Sequence, residues 1–471
     1  MVFKTRVLVH PTVPLVPGLA SVGPLDQYMM RILMPIMCVF ELRNPSQRSA
    51  IVHNLQLGLA HTIDEMNFLA ANIVLEDDER QNIQLDYDAN GAGVWFHEAD
   101  IPELEYEILA SRRFPLSELT LTRFVPNVPS LPGKDCAVLT VQVTFITGGV
   151  VLSFIAHHSL MDGQALGTFA QTWARNTHAA SEGRMVRSED RLAPETCDPS
   201  PTFGGCPNRC FNDFYTYRTS EKRLHGHIQD RVREAALIND RDTLAQLIPV
   251  SQWYLPADAL DRLKNATKPP DATQLSVTEH PSTSALIWRH VSRARKVRER
   301  GVETSSLFGG LNARRRMEPL LPVEYCFNAM VGTRAIATTA ELYQDGDAAL
   351  YNLARKVADS IDWWTPDRIW ELTGAIDSAE VVANRLVPPM DFDVTVTNPY
   401  RMGDIFAASE WGVELGKPKS LRWEFCSFTD GMALVLPEID GGLEIMLWAG
   451  PEVATNLQKD EEWMKWVVQV E

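Results

Sequence analysis

The sequence predicts an α/β protein built as two domains. Strand-like and helix-like patterns interleave along the chain. Its 471 residues, 45% of them hydrophobic, exceed the roughly 250–300 at which a single core stops growing. A Pro-, Gly- and Cys-rich stretch, "RLAPETCDPSPTFGGCPNRC" from Arg191 to Cys210, lacks periodicity and reads as a crossover. The expected division is a first domain over 1–190, a linker over 191–225 and a second domain over 226–471.

Taken in order, the elements are these. Met29 to Phe40 is the most apolar segment; broken by Arg31 and Pro35, it is too short to span a bilayer and reads as a buried helix. "AVLTVQVTFI", Ala137 to Ile146, has the β-branched alternation of a strand. Thr147-Gly148-Gly149 is a hairpin signal. "VVLSFIA", Val150 to Ala156, is a continuous apolar run, as in a strand covered on both faces. Leu166, Phe169, Ala170 and Trp173 then fall at i, i+3, i+4 and i+7, one face of a helix. Leu255 to Thr267 is amphipathic and helical. Ser282 to Gly301 reads as a longer helix capped by Gly301. Gly442 to Gly450 is a buried strand, and a closing helix starts at Pro451.

The formal charge is -17, from 61 acidic and 44 basic residues, which disfavours nucleic acid and anionic membrane as partners. Pro11 and Pro14 interrupt the N-terminus, which does not read as a secretory signal. Seven cysteines are scattered, and only Cys206 and Cys210 are close, with Cys197 upstream. Zinc needs about four convergent ligands, so these read as plain thiols, no metal is expected, and a reducing cytoplasmic compartment fits. His225 and His227 read as part of a polar loop.

The most informative stretch is "SFIAHHSLMDGQAL", Ser153 to Leu166. It places His157, His158, Asp162 and Gly163 between a central strand and a helix, where polar side chains can project into a cleft. Histidine can act as a base near neutral pH. Asp162 either polarises His158 or holds the loop, and Gly163 permits a backbone conformation other residues resist. The same spacing also fits a simple capped turn, with Asp162 capping a helix from Gln164 and the histidines merely polar. No Gly-x-Ser-x-Gly elbow or phosphate loop is present, which lowers serine-hydrolase and nucleotide readings.

"HHSLMDG" resembles the HxxxDG signature of the BAHD CoA-dependent acyltransferases, in particular their fungal branch, which includes trichothecene 3-O-acetyltransferase. "GPLDQ" (Gly23 to Gln27), "SALIWRHVSRAR" (Ser284 to Arg295), "LNARRRMEPLLPVEYCFN" (Leu311 to Asn328) and "GLEIMLWAGPE" (Gly442 to Glu452) resemble further blocks of that family, in family order. The family's DFGWG element is reduced to "GVELGKP", Gly412 to Pro418, and Phe327 stands where a glycine is usual before Asn328.

The resemblance implies two chloramphenicol-acetyltransferase-like domains with mixed β-sheets flanked by helices and a channel between them. It implies a monomer that transfers an acyl group, acetyl above all, from acyl-CoA to a hydroxyl of a fungal secondary metabolite. It makes His158 the base, gives Asp162 to a pairing with Arg314, and offers Thr397 near "TVTNP" as an oxyanion donor. His157 and Gly163 become structural neighbours. Acyl-CoA is a co-substrate, and no cofactor is held permanently. The basic stretches around Arg289 to Arg300 and Arg314 to Arg316 fit ion pairs and solvated faces, with one or two cations left for CoA phosphates. Other readings are N-acylation, a condensation-type enzyme fed by a carrier-protein thioester, and a catalytically retired binder.

Overall fold

A computed structural model describes residues 2–470 apart from 88–90, 218–230, 233, 236–239, 272, 383–392, 400–405, 407, 424–429 and 439. The first half contributes β1 (Val2–Val9), β2 (Gly18–Ser21), β3 (Leu33–Glu41), β4 (Asn72–Leu75), β5 (Ile83–Tyr87), β6 (Val94–Glu105), β7 (Leu139–Thr147) and β8 (Gly149–His157). The second contributes β9 (Val250–Leu255), β10 (Thr304–Asn312), β11 (Met330–Thr338), β12 (Val394–Thr397), β13 (Ser420–Arg422), β14 (Met432–Pro437), β15 (Leu443–Trp448) and β16 (Val468–Gln469).

These strands form two large mixed sheets and a small antiparallel one. The first runs β1-β6-β7-β8-β3-β13, with only β6 and β7 parallel. The second runs β11-β10-β12-β14-β15-β9-β16, with β10, β12 and β14 mutually parallel. The third is β2-β5-β4. One long-range exchange locks the halves: β13 pairs with β3 from Ser420–Val39 to Arg422–Met37, so the second half supplies the edge strand of the first sheet. Trp411 leads into it, buried edge-on against Phe40 and Trp173. The degenerate Gly412 to Pro418 stretch is thus a tight return: Trp411 N–H donates to the Gly416 carbonyl at 2.8 Å, and Gly412 and Gly416 take φ of +105° and +61°.

Several expectations need correction. Met29 to Phe40 is not a helix; its core is β3, buried from Met34 to Phe40 and flanked by β8 and β13. A continuous apolar run does not distinguish a doubly covered strand from a buried helix. The helix read as Ser282 to Gly301 is Glu279–Ala294; Gly301, at φ +71°, closes a later turn. The closing helix is two, Pro451–Gln458 and Glu461–Met464, because Asp460 caps the second by accepting from the Glu462 and Trp463 N–H groups. His225 and His227 lie outside the described residues. Among the described residues, no three or more of His, Cys, Asp or Glu are grouped to hold a metal ion, and no helix is long and apolar enough to cross a membrane.

The element that positions the site is the hairpin β7-β8 followed by the helix Gly163–Ser181. That helix packs on Arg48–Glu65 so closely that a Cβ on Gly58 would lie 2.6 Å from the Thr177 backbone nitrogen. Gly58→Ala therefore forces the two helices apart. The expected cost is about 1–3 kcal/mol, read as a lowered urea midpoint; an unchanged midpoint would show that the contact is not tight.

Candidate active site

β8 ends at His157, and the chain turns at once. Leu160 and Met161 N–H groups both donate back to the His157 carbonyl, at 3.1 and 3.3 Å. Asp162 then caps the next helix, its Oδ1 accepting the Ala165 N–H at 2.9 Å. The cap read from the sequence is therefore present, with the helix starting one residue earlier, at Gly163. Gly163 is the first helical residue, with no left-handed φ, so the special backbone freedom expected of it is not used.

The two histidines are wired differently. His157 is fully buried; its Nε2 donates to the Ser130 carbonyl at 2.9 Å, and its Nδ1 accepts from Ser159 Oγ at 2.6 Å. Both ring nitrogens are therefore engaged, and burial pushes its pKa down to about 3. His158 is 6% exposed, and its Nδ1 bonds the Met161 carbonyl at 3.2 Å. A carbonyl only accepts, so that nitrogen carries the proton and Nε2 keeps a lone pair. Burial holds the His158 pKa below the ordinary value, with the Asp162 charge and the Met161 carbonyl pulling the other way.

Asp162 and Arg314 form a buried, two-pronged ion pair. Arg314 Nη1 donates to Asp162 Oδ2 at 2.8 Å and Nη2 to Oδ1 at 2.9 Å. The Ala329 N–H adds a bond to Oδ2 at 2.9 Å. Burial alone would raise the Asp162 pKa; Arg314 and these N–H groups outweigh it and hold the carboxyl below its usual range. Arg314 also donates to Asn312 Oδ1 and to the Tyr325 and Phe327 carbonyls. Phe327, in the place of the usual glycine, is accommodated by packing on Phe68 with ring centroids 4.5 Å apart.

Two functional partners escaped the sequence reading. Asn328 Nδ2 donates to the His158 carbonyl at 3.0 Å and to Asp26 Oδ1 at 2.9 Å. Asp26 also accepts the Asn328 and Gly23 backbone N–H groups, and burial pushes its pKa up to about 8 against those bonds. Both residues stood inside quoted blocks, "GPLDQ" and "VEYCFN", but nothing in sequence signals a contact across 302 positions.

Thr397 closes β12, half-buried. β12 runs parallel to β10, with Phe308 beside Thr395, and β10 continues to Asn312, which holds Arg314. Thr397 and the Arg314 anchor thus lie at the same end of the second sheet. Among the described residues, no hydrogen bond joins Thr397 to His158.

Residues 3–464 match the model of the Transferase family. Acyltransferase easC of Emericella nidulans is 28% identical over 481 residues, covering 97% of this chain and 96% of the relative. Acyltransferase cm3D of Cordyceps militaris is 25% identical, covering 95% and 96%. Among solved structures, F. graminearum TRI101 complexed with coenzyme A and T-2 mycotoxin superposes with a TM-score of 0.76 at 16% identity, over 96% of this chain and all of that one. Vinorine synthase superposes at 0.66 with 18% identity, over 99% and 98%. These likenesses establish the fold, two mixed sheets flanked by helices in a chloramphenicol-acetyltransferase-like arrangement.

The ion pair carries a stability prediction. Removing one partner strands the other as a buried charge, at about 3–5 kcal/mol. Asp162→Ala and Arg314→Ala should each lower the denaturation midpoint strongly. The double variant should lose less than the sum of the two, since they share one interaction. Strict additivity in the melts would mean the pair is not coupled.

Proposed function

The chain belongs to the Transferase family, the BAHD-type CoA-dependent acyltransferases, and from that premise we propose that it moves an acyl group, acetyl above all, from acyl-CoA to a hydroxyl of a small molecule of fungal secondary metabolism. The observation that carries the reading is the state of His158: its proton is fixed on Nδ1 by the Met161 carbonyl, and among the described residues no hydrogen bond engages its Nε2 lone pair.

A hydroxyl is a poor nucleophile at neutral pH until a base removes its proton during attack. His158 Nε2 takes that proton and returns it to the departing CoA thiolate. No acyl-enzyme is required, because a site that binds both substrates together makes the transfer effectively unimolecular. The oxyanion of the tetrahedral intermediate calls for a placed donor, and Thr397 is the candidate at that end of the second sheet. Asp162 does not relay a proton. Its oxygens are taken up by Arg314, Ala165 and Ala329, which supports a purely structural role. One chain supplies His158, Asp162, Arg314 and Asn328, which supports action as a monomer. Known folds of this kind support the substrate classes: TRI101 has been crystallised with coenzyme A together with T-2 mycotoxin or deoxynivalenol.

Incubation with acetyl-CoA and a panel of hydroxylated metabolites, followed by mass spectrometry, tests the reading. An acetylated product with stoichiometric free CoA is expected. Turnover only with a carrier-bound thioester, or binding without CoA release, would reject it.

His158→Ala should lower kcat by about 100- to 10,000-fold while leaving the melting curve nearly unchanged. His157→Ala should act mainly on stability. Equal, mild kinetic defects in both would remove His158 as the base.

The pH profile follows from the sign of the shift. The base works only when neutral, and burial lowers its pKa below the usual value of about 6.5. kcat/KM should therefore stay level as pH falls through 6.5 and decline only further into acid. An acid limb centred above 6.5 contradicts the assignment.

A further inference from the structure

Two thiols meet where the crossover passes the segment that holds Arg314. Cys197 ends the 3-10 turn Pro194–Cys197 and is half-buried. Cys326 is fully buried between Tyr325 and Phe327, whose carbonyls accept from Arg314. The Cys326 N–H donates to the Thr196 carbonyl at 2.8 Å, which sets the two backbones side by side. A disulfide needs Cα atoms about 4.4–6.8 Å apart, which is about the spacing of neighbouring hydrogen-bonded chains. Cys197 Sγ donates to the Glu65 carbonyl at 3.6 Å and Cys326 Sγ to the Glu324 carbonyl at 3.2 Å, and each thiol shifts the ionisation of the other, as close neighbours do. Both are free thiols in the structure, as are Cys206 and Cys210 in the same crossover.

We propose that Cys197 and Cys326 are an oxidisable dithiol, a modification site that closes to a disulfide on reaction with a hydroperoxide. The surroundings of each thiol assign the roles. The neighbouring Cys197 and burial hold the Cys326 thiol well above its usual range, whereas its neighbour Cys326 lowers the Cys197 pKa. Cys197 is also the more accessible, so it is the attacking thiolate. Its sulfur attacks a peroxide oxygen, the O–O bond breaks, and with hydrogen peroxide one water leaves, giving the sulfenic acid. The Cys326 sulfur then attacks that sulfur. The S–S bond forms, the S–O bond breaks, and hydroxide departs with the Cys326 proton as a second water. Two thiols lose two electrons, and one peroxide is reduced to two waters.

The disulfide staples the crossover to the segment 325–328, which carries the carbonyls for Arg314 and the amide that holds His158. Cys206 and Cys210 are half-buried and exposed, and serve as internal controls in the same chain.

The test is peptide mapping under non-reducing conditions after graded hydrogen peroxide treatment of the full chain. Free Cys197 and Cys326 peptides should disappear together and reappear as one cross-linked species, lighter by two hydrogens than their sum. In Cys197→Ser, Cys326 should remain a free thiol at the same dose. The wild-type map alone still decides the proposal if Cys197→Ser fails to fold. Sulfinic acid at Cys197 with Cys326 untouched, oxidation of Cys206 or Cys210 while this pair stays reduced, or equal oxidation of Cys326 in Cys197→Ser would each overturn the proposal. None of these readouts depends on turnover, so they stand apart from the acyltransferase reading.

Discussion

The buried pairing of Asp162 with Arg314 is the constraint on which the rest of the site depends. Two charges taken out of water are tolerated only when the remaining lone pairs and protons find partners. Here they do. Asp162 accepts two guanidinium bonds and two backbone N–H bonds, and Arg314 spreads its remaining donors over Asn312, Tyr325 and Phe327. A lysine has no planar fork and cannot reproduce this set. The pair joins the start of the helix Gly163–Ser181 to the end of β10 and the start of β11, so it fixes one half of the molecule against the other. Asp26 and Asn328 make a second tie a few residues away and reach the His158 carbonyl.

Much of this was legible in the sequence where the signal is local. The hairpin β7-β8, the amphipathic face of the following helix and the cap at Asp162 all follow from side-chain periodicity and turn chemistry within "AVLTVQVTFITGGVVLSFIAHHSLMDG". The pairing of Asp162 with Arg314 came from resemblance to a family, not from the residues alone. What escaped has one physical cause. Long-range partners decided it: β3 is a strand because β8 and β13 flank it, and Asn328 matters because Asp26 and His158 lie beside it. Helix ends were misplaced where a single side chain decides, as at Asp460.

The net charge of -17 raises a problem that the ion pairs sharpen. An anionic co-substrate gains nothing from the long-range field of this chain. The densest basic stretches are also largely spoken for internally. Arg295 pairs with Asp430 at 2.9 Å, Arg293 with Asp345 at 2.9 Å, and Arg316 reaches the Trp364 carbonyl and Asp362. Basic residues counted from sequence therefore overstate the charge available to CoA phosphates. Attraction has to be short-range, within the roughly 8 Å over which charges act at physiological salt. In these stretches Lys296 and Arg315 are exposed, whereas Arg295 and Arg314 are buried in ion pairs.

The choice between the two adjacent histidines shows how position in a strand becomes chemistry. His157 is the last residue of β8, paired with Leu33, and its ring is enclosed with both nitrogens engaged. Proton transfer there would break a buried hydrogen bond each time, and its pKa of about 3 leaves a base too weak for a hydroxyl. His158 is one residue on, past the end of the strand. Its backbone is still held, through its N–H to the Ile32 carbonyl and its own carbonyl to Asn328, but among the described residues only one ring nitrogen is engaged. Backbone fixation orients the imidazole, and in the proposed mechanism Nε2 gains and loses the proton. In the proposed mechanism the adjacent pair thus separates two demands that one histidine cannot meet together: one ring fills and hydrogen-bonds the core, and the other, anchored by main-chain bonds, keeps a lone pair for substrate.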